Sequence, residues 1–188
     1  MKTLFFLSFL ILYQVCNAAC SDLVPWARSI CERFSKTLCD GHTDLYLSGY
    51  AQHVDFHDPL GENYPENQYA WGLGIGRGRM NDSGNEDMLL VMGIENSHRN
   101  AQFSMGYAWQ AYWQPIDKAQ WFKFGLGYTV AILQRPDIAN GIPFPVILDL
   151  ASLKFGNFTL YGMYIPIPKI NTGMGYGNVF YFFAKYSF

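Results

Sequence analysis

The chain has 188 residues, of which 50% are hydrophobic and 18% aromatic, while only 15% are charged, against about 25% in an ordinary soluble domain. Its net charge is −2 and no basic stripe is present, which argues against a nucleic-acid partner. No stretch beyond Val15 approaches the roughly 18 apolar residues of a spanning helix, so a chain this aromatic either builds a very large core or meets lipid through strands.

Lys2 precedes an apolar run from Leu4 to Val15, and the small residues Ala18 and Ala19 follow. This is the pattern of a secretory signal peptide, and residues 1–19 are expected to be removed on export. The run is too short to span a bilayer as a helix, which takes about 20 residues. Asn17-Ala18-Ala19-Cys20 resembles a lipoprotein cleavage site, but Asn17 stands where such a site carries an aliphatic residue, which argues against acylation of Cys20. Loss of Cys16 with the leader leaves Cys20, Cys31 and Cys39, an odd number for an oxidising compartment. On one helix Cys31 and Cys39 would be separated by about 12 Å of rise, too far for a bridge. No metal-ligand spacing such as CxxC occurs, and no metal or nucleotide cofactor is implied.

Residues 22–38 are predicted to be helical, within a segment 20–41. Asp22 can cap the helix, and Pro25 sits in the first turn, where a missing N–H costs little. Leu23, Trp26, Ala27, Ile30, Phe34 and Leu38 recur at helical spacing opposite Arg28, Glu32, Arg33 and Lys36. An amphipathic helix with Trp on its apolar side suits a membrane interface; packing on a core is the alternative.

From residue 42 to 188, strand-like runs alternate with turn signals. Strands are predicted near 44–57, 68–80, 87–95, 101–114, 119–133, 147–155, 158–166 and 176–188. The fold class expected is all-β: an eight-stranded antiparallel transmembrane β-barrel preceded by one amphipathic helix. Short turns at 81–85, 115–117 and 156–157 alternate with longer connections at 58–67, 134–146 and 167–175, with 96–100 as a brief member of the longer set. Short turns belong on the periplasmic side of such barrels.

The fourth strand shows the two faces. Phe103, Met105, Tyr107, Trp109 and Trp113 lie on one side, and Gln102, Ser104, Gly106, Ala108 and Gln110 on the other. The fifth sends Phe122, Phe124, Leu126, Tyr128, Val130 and Ile132 outward and Lys123, Gly125, Gly127 and Thr129 inward. The second sends Trp71, Leu73 and Ile75 outward and Gly72, Gly74, Gly76 and Gly78 inward. An eight-stranded interior is filled by side chains or holds one small ligand. Inward Gly72, Gly74, Gly76, Gly106, Gly125 and Gly127 either clear a slender lumen or make room for large partners from other strands.

The last run, Phe180, Phe182, Ala184, Tyr186 and Phe188, has the aromatic period-two face of a closing barrel strand. Ending it on the periplasmic side sends odd strands outward. Residues 53–57 and 95–100 then meet at the outer rim, bringing His53, Asp55, His57, Glu95, Asn96, Ser97 and His98 together. Ser, His and a polar orienting group are the parts of an activated-nucleophile or general-base site, though residue type alone does not separate His53 from His57 or His98. His42, before the first strand, reads as periplasmic and structural.

These residues resemble the lipid A palmitoyltransferases. The resemblance is carried by Asp44-Leu45-Tyr46 followed by His53, by Trp71-Gly72-x-Gly74-x-Gly76, by Gly106-Tyr107-x-Trp109, and by Phe124-Gly125-Leu126-Gly127-Tyr128-Thr129. It continues through Ile142-Pro143-x-Pro145-Val146-x-Leu148-x-Leu150-Ala151-Ser152 and Tyr164-Ile165-Pro166. It implies an outer-membrane barrel that transfers a palmitoyl chain from the sn-1 position of a phospholipid to lipid A, with the chain measured in a hydrocarbon-filled lumen. Resistance to cationic antimicrobial peptides is the implied consequence. Phospholipid donor, lipid A acceptor and the outer membrane are the implied partners, and the chain is expected as a monomer or weak dimer.

The family's catalytic His and Ser match His53 and Ser97, and its Asp matches Asn96. Asn can position a hydrogen bond but cannot stabilise an imidazolium by charge, so Asp55 or Glu95 is the expected source of a carboxylate. The ruler position, commonly Gly, is Ala108, which predicts a chain no longer than palmitoyl. Gate prolines of the family match Ser48, Ala70 and Asp149, while Pro166 is retained. Two other classes compete: a noncatalytic small barrel for adhesion or surface protection, which would need neither inward glycines nor a rim Ser/His pair, and a lipocalin-like periplasmic carrier, which would need a polar exterior.

Overall fold

The computed structural model describes residues 20–57, 66–115, 121–167, 169 and 176–188; the expected leader lies outside them. A short turn of 3₁₀ helix, Cys20–Asp22, leads into helix α1 (Pro25–Asp40). Eight antiparallel strands follow: β1 (His42–His57), β2 (Gly72–Met80), β3 (Glu86–Glu95), β4 (Ala101–Trp113), β5 (Phe122–Gln134), β6 (Phe144–Phe155), β7 (Phe158–Ile167) and β8 (Tyr176–Ser187). Each pairs with its sequence neighbours, and β8 returns to β1 to close the barrel. Closure removes the free edges that a flat sheet would expose.

The period-two pattern decides the faces. Leu73 and Ile75 on β2, Phe103 and Met105 on β4, and Leu126, Val130 and Ile132 on β5 are all exposed. So large an apolar outer surface is unsuited to water and matches the lipid-facing band of a strand-built membrane protein. The polar exterior that a lipocalin-like carrier needs is absent from these faces.

Several element boundaries shift by a few residues from the sequence expectation, and two of these shifts shape the mouth of the barrel. β2 starts at Gly72 rather than near 68, because residues before it leave the ladder: Ala51 N–H still bonds the Gln68 carbonyl at 2.8 Å, but β1–β2 pairing ends at Ser48–Gly72. β6 starts at Phe144 and so includes Pro145, which pairs opposite Ile132. Proline is tolerated there because β6 is unpaired on its other side until Ala151 meets Gly162, so few ladder bonds are at stake.

Helix α1 turns its aromatic stripe away from the barrel, as the interfacial reading expects rather than the core-packing alternative. Trp26, Ile30 and Phe34 are exposed, while Thr37 is fully buried. Small residues and the last turn do the docking: Cys31, Ser35, Thr37, Leu38 and Cys39 are buried or partly buried, while Arg28, Glu32, Arg33 and Lys36 stay exposed. Arg77 on β2 donates to the Leu38 carbonyl at 3.0 Å and the Cys39 carbonyl at 3.3 Å. These are orphan carbonyls of the helix C-terminus, where a cation is favoured. Tyr107 donates to Asp87. Asp87 and Leu89, on the outward face of β3, are buried where the helix meets β2 and β3. The aromatic stripe therefore points away from the barrel, as an interfacial helix requires. Cys20 is bonded to Cys31, which ties the leading turn to the helix and occupies the sulfur that acylation would need.

Inside, the half of the barrel near α1 is solid. Lys185, fully buried, donates to Glu86 Oε1 at 2.6 Å and lies 3.6 Å from Asp44 Oδ2. Glu86 also meets Lys154 at 3.5 Å and accepts from the Tyr112 hydroxyl at 2.8 Å. His42 lies 3.2 Å from Asp44 and 3.4 Å from Glu86, and the Ser187 hydroxyl donates to Asp44 at 2.6 Å. Above this cluster, Gln110 bonds the Leu150 carbonyl and accepts from Ser152. An apolar layer of Tyr46, Met88, Met92, Ala108, Leu150, Tyr161 and Phe183 comes next.

Gly76 and Gly125 sit within this filled half. A Cβ at Gly125 would meet the Ser152 hydroxyl, Tyr112 Cε1 at 2.7 Å and Gln110 Oε1 at 2.9 Å, and one at Gly76 would meet Tyr46 at 2.8 Å. Here the missing side chains make room for large neighbours rather than for a ligand.

Lys185→Met should cost about 3 kcal/mol, because it leaves buried Glu86 and Asp44 with only Lys154 and His42 as counter-charges. Urea unfolding followed by the heat-modifiable gel shift checks this; an unchanged midpoint would contradict it.

Candidate functional site

Beyond the apolar layer the barrel is hollow. A cavity of about 570 Å³ occupies the end remote from α1, within the usual range for a small-molecule site of roughly 300–1,000 Å³. Its walls carry Leu90, Met92 and Ile94 from β3, Leu148 from β6, Ile165 from β7 and Val179 from β8. Phe183 and Met92 belong both to the wall and to the layer beneath, so that layer is the cavity floor. Ala108, itself 2% exposed, packs within the floor. The expected lumen glycines Gly72, Gly74, Gly106, Gly125 and Gly127 are not among the residues lining this space.

Polar groups collect at the mouth: His53, Glu66, Asn96, Ser97, His98, Arg135 and Asp137 all line it. The strands deliver them by parity and register. His53, near the end of β1, pairs opposite Val179 on β8, and both face inward. Its ring packs edge-on to Phe56 at 5.2 Å, and its buried Nδ1 has no hydrogen-bond partner among the described residues. His57 is turned elsewhere and stacks on Tyr176 at 5.2 Å.

Asn96 and Ser97 open the β3–β4 turn. Asn96 Oδ1 accepts the backbone N–H groups of His98 and Asn100, each at 2.9 Å. The Asn96 N–H bonds the Asn100 carbonyl at 2.8 Å, and the Asn67 N–H bonds the Ser97 carbonyl at 3.1 Å. An Asx turn of this kind holds the backbone through the side chain, which fixes the loop carrying Ser97. No hydrogen bond joins His53 to Ser97 or Asn96 among the described residues; all three share the same mouth.

The carboxylate at this site is neither of those expected. Asp55 is exposed, with a left-handed backbone at φ 50°, where the β1–β8 register shifts between Val54 and His57. Glu95 accepts from Asn67 at 3.3 Å. Neither bonds His53, Asn96 or Ser97. Instead Asp137, from the β5–β6 loop, accepts from Asn96 Nδ2 at 3.0 Å and from His98 Nδ1 at 2.7 Å. Arg135 grips the same carboxylate at 3.1 and 2.6 Å. Burial alone would raise the Asp137 pKa, but the hydrogen bonds and charge of Arg135 and the bond from His98 outweigh it and hold the group at about 2. Glu66 lies 3.3 Å from His98 Nε2, and its other oxygen is buried without a partner among the described residues. Glu66, Arg135 and Asp137 escaped the sequence reading because they lie in the long connections, where charged residues are the default.

Two walls of the mouth are open ladders. On one side β1–β2 pairing stops at Ser48–Gly72; there Ser48 Oγ donates to the Ala70 carbonyl at 2.5 Å and accepts from Tyr181 at 2.6 Å. On the other, β6 and β7 separate beyond Ala151–Gly162, and Asp149 accepts the Tyr164 N–H at 3.4 Å. Pro166, exposed on β7, pairs only toward β8, opposite Asn178. Ser48 thus gives the Ala70 carbonyl a donor and Asp149 gives the Tyr164 N–H an acceptor, neither of which a proline side chain could supply.

Comparison with known proteins agrees with this architecture. A family profile described as "Antimicrobial peptide resistance and lipid A acylation protein PagP" matches residues 33–185. A "Lipid A acyltransferase PagP" of Bordetella parapertussis is 34% identical over 180 residues, covering 96% of this chain and 94% of its own. Proteins of the same name from Legionella longbeachae (37% identical, 90% of this chain, 71% of its own) and Methylobacillus flagellatus (33%, 92% and 89%) are similarly related. The chain belongs to the PagP family of lipid A acylation proteins.

Proposed function

We propose that this protein is an outer-membrane acyltransferase that moves a palmitoyl chain from the sn-1 position of a phospholipid to lipid A, with His53, Asn96 and Ser97 at the reacting centre. The observation that carries the reading is the cavity: an apolar blind slot, closed by the Ala108 layer, whose mouth is ringed by His53 and Ser97. A noncatalytic barrel has no use for such a slot. Lipid A as acceptor follows from family membership, and the apolar outer belt supports a bilayer location.

The chemistry balances without any external reagent. The donor's acyl chain fills the slot, with its ester at the mouth. A lipid A hydroxyl attacks the acyl carbon, and its proton passes to His53 as general base. The ester bond to the glycerol breaks, and the leaving alkoxide takes the proton back from His53. A new ester on lipid A and a lysophospholipid result. Ser97 presents a hydroxyl beside the reacting ester, and the Asn96 amide holds the turn beneath it. The open ladders at Ser48–Ala70 and at Asp149–Pro166 are lateral passages for the lipids. Lipid A with an added chain packs the outer leaflet more tightly, which accounts for resistance to cationic antimicrobial peptides.

Purified protein incubated with a defined dipalmitoyl phospholipid and lipid A should yield lipid A heavier by one palmitoyl group, read by mass spectrometry. His53→Ala and Ser97→Ala should each lower the transfer rate by about 100-fold or more; undiminished transfer in His53→Ala would overturn its assignment.

With mixed-chain donors the native protein should transfer palmitoyl or a shorter chain, and Ala108→Met should shorten the product because a close-packed floor cannot yield to a larger side chain. A product longer than palmitoyl from the native protein would contradict this account of the floor.

A further inference from the structure

The Asn96–Asp137 pair is directional. Asn96 uses its carbonyl oxygen for the turn and its amide N–H₂ to reach the carboxylate on the neighbouring loop. An Asp at 96 could keep the turn bonds, since these need only an acceptor. It could not donate to Asp137, and two carboxylates at 3.0 Å would repel. The amide at 96 and the acid at 137 are therefore matched, and the negative charge of the pair sits on the β5–β6 loop.

Among the described residues, that charge also links the β3–β4 and β5–β6 loops of the mouth. Asp137 Oδ1 accepts from Asn96 and Arg135, and Oδ2 accepts from Arg135 and His98. His98 is in turn held from its far side by Glu66. Through Asn96 the carboxylate fixes the turn that carries Ser97; through His98 it fixes an imidazole on the same rim. Four charge-assisted or amide bonds on one carboxylate make a rigid joint rather than a surface ion pair.

We infer that Asp137 is a positioning residue of the acyl-transfer site, supplying from the β5–β6 loop the carboxylate that residue 96 lacks and locking Asn96, and with it Ser97, to that neighbouring loop. This rests on the acyl-transfer reading above and adds to it a residue that acts through Asn96 and His98 without touching the substrate.

The test is a charge swap in the full-length protein reconstituted with phospholipid and lipid A. Asp137→Asn should lower transfer by about tenfold or more, the size expected for coupled groups in one network. Asn96→Asp should do the same, because it sets two carboxylates against each other. The double variant Asn96→Asp/Asp137→Asn returns one donor and one acceptor to the pair and should recover to within about threefold of the native rate. A purely structural loss would not be restored by a second substitution at the same place, and the heat-modifiable gel shift reports whether each barrel is folded. If Asp137→Asn alone fails to fold, the rescue is read from Asn96→Asp. Transfer by Asp137→Asn within about twofold of native, or a double variant no better than both single ones, overturns the inference. If the native protein transfers and His53→Ala does not, such a result leaves the functional reading standing; if the native protein transfers nothing, both fall.

Discussion

The whole upper half of the barrel depends on the lower half being filled. Lys185, Glu86 and Asp44 are ions buried inside a closed sheet, where an unpaired charge is costly, so each meets its counter-charge there. Lys154, His42, Tyr112 and Ser187 complete that set. The network draws strands β1, β3, β4, β6 and β8 together at one end. On it rests the layer of Tyr46, Met88, Ala108, Leu150, Tyr161 and Phe183, and that layer turns a tube into a blind cavity. Without the polar plug there would be no defined depth for a chain to fill.

The mouth reverses this logic. There the strands stop pairing, at Ser48–Gly72 on one side and at Ala151–Gly162 on the other, and backbone groups are satisfied by side chains instead of ladder bonds. The loops would be free to move independently if nothing tied them. Asn96, Asp137, Arg135 and His98 form that tie across the β3–β4 and β5–β6 connections. On the proposed acyl-transfer reading, an apolar slot, two breaches in its wall and a polar latch over its opening make one arrangement, in which lipid would enter sideways while the reacting groups stay in place.

Helix α1 belongs to the same economy of surfaces. It meets the barrel through buried Thr37 and the Arg77 cap on its final carbonyls, which leaves Trp26, Ile30 and Phe34 exposed on its outer side, as a bilayer boundary would suit. Read alone, the apolar stripe could have faced either way, since a stripe only states that something apolar covers it.

The sequence by itself determined the class of fold, because a period of two is a property of the strand backbone and survives any packing. The inward set of β4 and the aromatic outer face of β8 were legible residue by residue, as were His53, Asn96 and Ser97 as members of one rim. The role of the inward glycines was not: Gly125 makes way for Tyr112 and Ser152, a fact about other strands. Nor was the acid of the site. Asp55 and Glu95 are near in sequence to His53 and Ser97, but a left-handed backbone turns Asp55 away and Glu95, though it lines the cavity, bonds Asn67 instead, while Asp137 arrives from 41 positions beyond Asn96. Only the tertiary structure could decide that, because which loops meet over a barrel's mouth depends on closure and register, and no local pattern encodes either.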